Sequence, residues 1–166
     1  IRAFAEVADR YPDYRLEIYG EGELRTSLQV LVKELGLEGR IILPGSISDV
    51  AEHIYRASIF VLSSYSEGMP NTLIEAMALG IPSVSTDCPC GGPAELITNG
   101  ENGFLIEPGN QGELQDILQK LMDDDHLAMK VGKNAAKLQE ELNPETINKL
   151  WEEYFSRFIP VRNEVI

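Results

Sequence analysis

Residues 59–86, Ile59-Phe60-Val61-Leu62-Ser63-Ser64-Tyr65-Ser66-Glu67-Gly68-Met69-Pro70-Asn71-Thr72-Leu73-Ile74-Glu75-Ala76-Met77-Ala78-Leu79-Gly80-Ile81-Pro82-Ser83-Val84-Ser85-Thr86, decide the fold class of this 166-residue chain. Ile59 to Ser63 is a continuous apolar run of strand length, the kind covered on both faces in a parallel sheet. The loop Ser64 to Pro70 leads into a helix over about Asn71 to Leu79, which Gly80 ends, and Pro82 to Thr86 reads as the next strand.

The alternation extends outward in both directions. Upstream, Arg15 to Tyr19 reads as a strand ending at Gly20-Glu21-Gly22, followed by a helix from about Glu23 to Leu35 that Gly36 closes. Arg40 to Leu43 is a short strand stopped by Pro44-Gly45, and Ser48 or Asp49 can cap a helix through about Ala57. Downstream, Pro93 to Ile97 reads as a short helix, Gly103 to Ile106 as a last strand, and everything beyond Gly109 as helix. The last helix is expected over Pro144 to Ile159, capped near Asn143, with Trp151 and Phe155 on its apolar side. Trp151, Tyr154, Phe155 and Phe158 fall at helical spacing, as packing residues do. Strands alternating with helices predict an α/β fold: a Rossmann-like parallel sheet with helices on both faces. With no repeat, low-complexity segment or linker, residues 1–166 read as a single domain. In such sheets ligands sit beyond the carboxyl ends of the strands. The loops after Gly20, Leu43, Ser63 and Thr86 are therefore where chemistry is to be sought.

Composition removes several classes of function. The chain is 43% hydrophobic and 25% charged, ordinary for a soluble domain. Its 14 Lys and Arg against 27 Asp and Glu, a net charge of -13, repel a phosphate backbone and disfavour docking on anionic lipid. No nucleic-acid partner is expected. No apolar run approaches the roughly 20 residues of a membrane span, so a soluble, cytoplasmic protein is expected. Cys88 and Cys90, one residue apart, are poorly placed to bridge each other and too few for zinc. His53 and His126 have no Cys or His neighbours and read as structural or surface residues, so no metal is expected. Ile1 to Ala8 reads as the middle of an amphipathic helix without initiator Met, cap or signal peptide, which predicts a fragment of a longer protein.

The chemistry-bearing stretch is Ser66 to Gly80. Glu67 lies in the loop and Glu75 about one turn into the helix, so both can face the mouth of one cleft. Between them the free N–H groups at the helix start, near Asn71 to Leu73, make an anion site, and Pro70, which lacks an N–H, suits the first turn. A carboxylate can accept both hydroxyl protons of a cis-diol. A phosphate between two diol-binding carboxylates describes a nucleotide sugar. Two glutamates at this spacing, taken alone, are more usually a solvated helix face, and it is the surrounding pattern that marks a site. A glycosidase also uses two carboxylates, but neither glutamate has the apolar surroundings that acid work requires. Gly20-Glu21-Gly22 lacks the third glycine of the dinucleotide fingerprint, with Arg25 in its place.

Glu67 and Glu75, separated by seven residues, with Gly68, Pro70, Leu73 and Ala76-Met77-Ala78 around them, resemble the signature of the family-four retaining glycosyltransferases, the glycosyl transferases group 1. Gly20-Glu21-Gly22, Leu43-Pro44-Gly45, Pro82-Ser83-Val84, Gly91-Gly92 followed by Glu95, and Asn102-Gly103 agree in order, so the resemblance covers roughly Ile1 to Pro108. Glu-Gly-Met-Pro-Asn together with Ser-Thr-Asp-Cys-Pro is similar to the capsule, lipopolysaccharide and exopolysaccharide group. The resemblance implies the C-terminal, donor-binding half of a two-domain GT-B enzyme. That enzyme would move a sugar from a UDP- or GDP-linked donor to a glycan or lipid-linked acceptor held by an N-terminal domain, without a metal, and would sit peripherally at the inner membrane face.

Carried over, Glu75 resembles the glutamate that binds the ribose hydroxyls, and Glu67, at the catalytic position, the one that holds donor-sugar hydroxyls. Backbone from Gly68 and Met69 through Asn71, Thr72 and Leu73 would contact sugar and pyrophosphate. The backbone near Ile47 would recognise the base, and Gly20 and Gly22 would keep side chains out of the cleft. The terminal helix, 144–159, would cross toward the acceptor domain and leave part of its apolar stripe exposed. Two rival readings are a nucleotide-binding or regulatory module without transfer activity and a nucleotide-sugar epimerase.

Charge adds one more expectation. A site for a departing pyrophosphate needs preorganised cations, and the carboxyl-end loops hold no basic pair, with Arg25, Lys33 and Arg40 in a helix or at a strand's entrance. The resembling family supplies an Arg and a Lys from the loop after a strand that would lie between those ending at Gly20 and Ser63. The 166-residue chain alone is therefore expected to be inactive, with two unpaired strand edges facing a gap.

Overall fold

The computed structural model describes residues 1–158. The elements run α1 (Arg2–Ala8), β1 (Leu16–Tyr19), α2 (Arg25–Glu34), β2 (Ile41–Gly45), α3 (Val50–Ile54), β3 (Phe60–Leu62) and α4 (Asn71–Ala78). They continue as β4 (Ser83–Thr86), α5 (Gly92–Leu96), β5 (Phe104–Ile106), α6 (Gln111–Asp123), α7 (Asp125–Ala135), α8 (Leu138–Glu141) and α9 (Pro144–Ser156). All strand pairings are parallel: β1 with β2, and β3 with β4 with β5. This is the α/β architecture the alternation predicts.

Among the described residues the strands form two sheets, one of order β1-β2 and one of order β3-β4-β5. β1 and β3 are not hydrogen-bonded to each other, and each pairs with a single neighbouring strand. Helices join the halves. Met122 of α6 packs on the cluster of Phe4, Val7, Ala8, Val32 and Ile41. Arg10 makes a salt bridge to Asp123 at 2.7 Å, and the Tyr11 hydroxyl donates to the same carboxylate. α3 is the second tie: Ile54 packs with Ala76 and Ile81, and the His53 ring lies edge-on to Tyr19.

The apolar run at β3 has the coverage expected of it. Phe60 and Leu62 pack into a cluster with Leu73, Met77, Leu96 and Ala135, while Ile59 and Val61 pack into another with Val84, Phe104, Leu121 and Val131. Alternate residues thus serve opposite faces. β3 nevertheless stays half-buried, whereas β4, paired on both sides, is buried at all four positions.

Several boundaries differ from the sequence reading. β2 continues through Pro44 and Gly45 instead of stopping before them. It pairs only with β1, so the missing N–H of Pro44 falls on an edge strand, where proline is tolerated, and the Gly45 carbonyl accepts from Gly20 N–H at 2.8 Å. α2 begins at Arg25 rather than Glu23, because its flanking residue Leu24 offers no capping side chain. α3 ends at Ile54, short of Ala57, and Asp49 rather than Ser48 caps it, accepting from Glu52 N–H at 3.0 Å. α9 is capped by Asn143 as expected and spans Pro144–Ser156. The Ile159 end of the expected helix lies outside the described residues.

Candidate donor-binding site

The loops after β1 and β2 form one wall at the carboxyl ends. Gly20 has φ +121°, a conformation L side chains rarely adopt, and a Cβ there or at Gly22 would meet nothing within 4 Å. Both glycines border open space. Arg25 lies in a helix, as the sequence reading has it: it heads α2, and its guanidinium donates to the Leu43 carbonyl, within β2, at 2.7 Å and to Glu21 Oε1, in the loop after β1, at 3.0 Å. Sequence spacing could not show this, because the contact spans 18 residues and depends on β1 pairing with β2. Ile47 follows directly and is half-buried.

The second wall is the loop after β3 with α4. The Ser64 hydroxyl donates to Glu67 Oε1 at 2.6 Å, which leaves Oε2 for a ligand hydroxyl. Thr86, buried at the end of β4, donates its hydroxyl to the Ser64 carbonyl, so β4 holds the root of the Glu67 loop. Met69 is exposed. Pro70 occupies the N-cap position, not the first helical position, and supplies no capping side chain. Its carbonyl accepts from the N–H groups of Leu73 and Ile74, each at 3.1 Å. The amides still available for an anion are therefore those of Asn71 and Thr72, while the Leu73 side chain is fully buried in the core. Glu75 is half-buried, and its Oε2 is a buried oxygen with no hydrogen-bond partner among the described residues. A carboxylate oxygen left in that state costs free energy unless a ligand supplies a donor.

The remaining candidates take structural roles. His53 Nδ1 lies 2.6 Å from the Asp49 carbonyl within α3. Cys88 is buried and Cys90 exposed, both as free thiols. Among the described residues no group of three or more His, Cys, Asp or Glu is placed to hold a metal ion, and no helix is long and apolar enough to cross a membrane. The aromatic side chains of α9 do not pack into the core: Trp151 is 55% and Phe158 67% exposed. They stack on one another, Trp151 on Phe155 at 5.4 Å between centroids.

The sequence profile of the family "Glycosyl transferases group 1" matches residues 1–138. An exopolysaccharide phosphotransferase of Streptomyces coelicolor is 34% identical over 99% of this chain and 17% of its own length. Among solved structures, the C-terminal domain of a glycosyl transferase group 1 family protein, LpcC from Francisella tularensis, superposes with a TM-score of 0.75 at 32% identity. That match covers 84% of this chain and 75% of that one. Anabaena HepE in complex with UDP and glucose superposes with a TM-score of 0.82 at 26% identity, over 93% of this chain and 43% of that one. The chain spans 17%, 42% and 44% of the lengths of three curated relatives it matches. Its fold is the α/β fold of GT-B glycosyltransferases.

Proposed function

The chain belongs to the glycosyl transferases group 1 family, and we propose that it is the donor-binding, C-terminal half of a retaining, family-four enzyme that transfers a sugar from a nucleotide sugar. The observation that carries this reading is Glu75, whose buried, unpartnered Oε2 lies on the helix whose first amides are free. In this reading Glu75 accepts the ribose hydroxyls, Asn71 and Thr72 N–H groups take the pyrophosphate, and Glu67 Oε2 takes hydroxyls of the donor sugar. Gly20, Gly22 and the backbone near Ile47 line the base end of the cleft. UDP or GDP is the nucleotide, no metal is needed, and the product is a surface glycan or its lipid-linked precursor. The resemblance to LpcC's C-terminal domain and to a UDP- and glucose-bound HepE supports this placement.

Chemically, the bond from the anomeric carbon to the diphosphate oxygen breaks while the acceptor oxygen bonds to the same face. The departing diphosphate takes the acceptor proton, so configuration is retained. Glu67 and Glu75 hold hydroxyls and transfer no proton. The acceptor belongs to another domain, toward which the exposed aromatic face of α9 points the way in this reading, and the 166-residue chain alone is inactive.

In the full-length parent, Glu75→Ala is expected to weaken UDP binding by about 1.5–3 kcal/mol, the worth of charge-assisted hydrogen bonds lost from a buried site. Glu67→Ala is expected to lower turnover and blur donor-sugar discrimination while UDP affinity holds. Calorimetry and transfer assays that find both variants unchanged would sink the assignment of the two glutamates, whereas transfer by the purified 166-residue chain would overturn only its expected inactivity. The rival reading is a nucleotide-binding or regulatory module without transfer activity. A full-length parent that binds UDP but forms no glycosidic bond would decide for it.

A further inference from the structure

Gly91-Gly92, singled out in the sequence without a role, meets the Glu67 loop directly. A Cβ at Gly92 would lie 1.4 Å from the Gly68 carbonyl oxygen, 2.6 Å from its carbon and 3.1 Å from Pro70 Cδ. The Gly68 carbonyl would have to recede by about 2 Å to reach the 3.4 Å of ordinary contact. Gly92 itself has no positive φ, so the requirement for glycine here is the neighbouring backbone alone. Cys90 and Gly91, at φ +79° and +75°, wind the chain left-handed and bring Gly92 flat against Gly68. From the other side Thr86 holds the Ser64 carbonyl, and Ser64 holds Glu67 Oε1. The loop that carries Glu67 is thus gripped at its root by β4 and at its tip by the start of α5.

We infer that Gly92 and Thr86 are positioning residues that set where the Glu67 carboxylate stands, and so act on sugar transfer without touching the donor. The inference rests on the proposed donor-sugar role of Glu67. In that reading the β4–α5 loop serves the sugar end of the cleft, since the three atoms nearest a Gly92 Cβ belong to Gly68 and Pro70, and the nucleotide is held by Glu75 and the loops after β1 and β2.

The experiment uses the full-length parent, with UDP as the binding probe and UDP- and GDP-hexoses as donors. Because a displacement on the order of an ångström at a reacting centre costs about a hundredfold, Gly92→Ala should lower kcat by about that factor. UDP affinity should fall by a smaller factor than kcat, because the same Cβ also presses on Pro70, beside the Asn71 and Thr72 amides. Thr86→Val, which removes one hydroxyl and keeps the shape, should lower kcat by a smaller factor, about tenfold, with UDP affinity kept. If Gly92→Ala does not fold, Thr86→Val decides by the same readouts. A kcat unchanged in the folded variants overturns the inference, as does UDP affinity falling in parallel with kcat, which is general damage. A parent that transfers no sugar removes the proposed function itself, a failure visible before any substitution.

Discussion

Gly20 and Gly92 stand at carboxyl ends in the two halves of the sheet, and they are glycine for opposite reasons. Gly20 has φ +121° and open space where a Cβ would go, while Gly92 has ordinary φ and backbone where a Cβ would go. The contrast extends to their surroundings. The β1–β2 half has two strands, with Gly20 and Gly22 facing open space; the β3–β5 half buries β4 completely and ties its loops together.

Core substitutions test that contrast most strongly. Leu73→Ala removes a side chain with no exposure beneath the α4 start and is expected to cost about 2–5 kcal/mol, transfer plus cavity. Val32→Ala, in the β1–β2 half, removes less apolar volume and is expected to cost about 1.5 kcal/mol at roughly 0.8 kcal/mol per methylene. Urea denaturation measures both, and equal losses would break the distinction between the two halves.

A smaller effect comes from the glycines of the open wall. Gly20→Ala meets no atom but is forced to positive φ, which costs on the order of 1–3 kcal/mol. Gly22→Ala has neither clash nor positive φ, so its stability should change little while donor binding weakens. A Gly22→Ala variant with full UDP affinity would show that this edge of the cleft stays empty when ligand binds.

The smallest effect is one of pH. The Tyr19 phenol is pushed up to about 12 by its hydrogen bond to the Glu17 carboxylate, with burial and the Glu17 charge adding to it. A raised pKa means the folded state holds the proton more tightly. The contribution is therefore full below the ordinary tyrosine pKa near 10 and is lost as pH rises through about 12. Tyr19→Phe should be slightly less stable than the parent near neutral pH, with the gap closing by pH 12. A gap that persists there would show that the difference does not come from the phenol's proton.

Much was legible in the residues alone. Apolar runs, glycine stops and capping side chains are local signals, so the order of strands and helices, the cap at Asn143 and a cap at Ser48 or Asp49 could be read directly, with only the structure choosing Asp49. The spacing of Glu67 and Glu75 around a helix start marks the proposed site for the same reason. Boundaries set by pairing could not be read: Pro44 continues β2 because that strand lies at an edge, and proline's missing donor matters only where a partner would need it. Nor could the orphaned Glu75 oxygen, the reach of Arg25 to Leu43, or the grip of Gly92 on Gly68 be read, since each joins segments from different loops. The sequence by itself determined which elements form and which loop carries the carboxylates, because those depend on neighbours along the chain. Only the tertiary structure decided which amides remain free and which backbone presses on which, because those depend on neighbours in space.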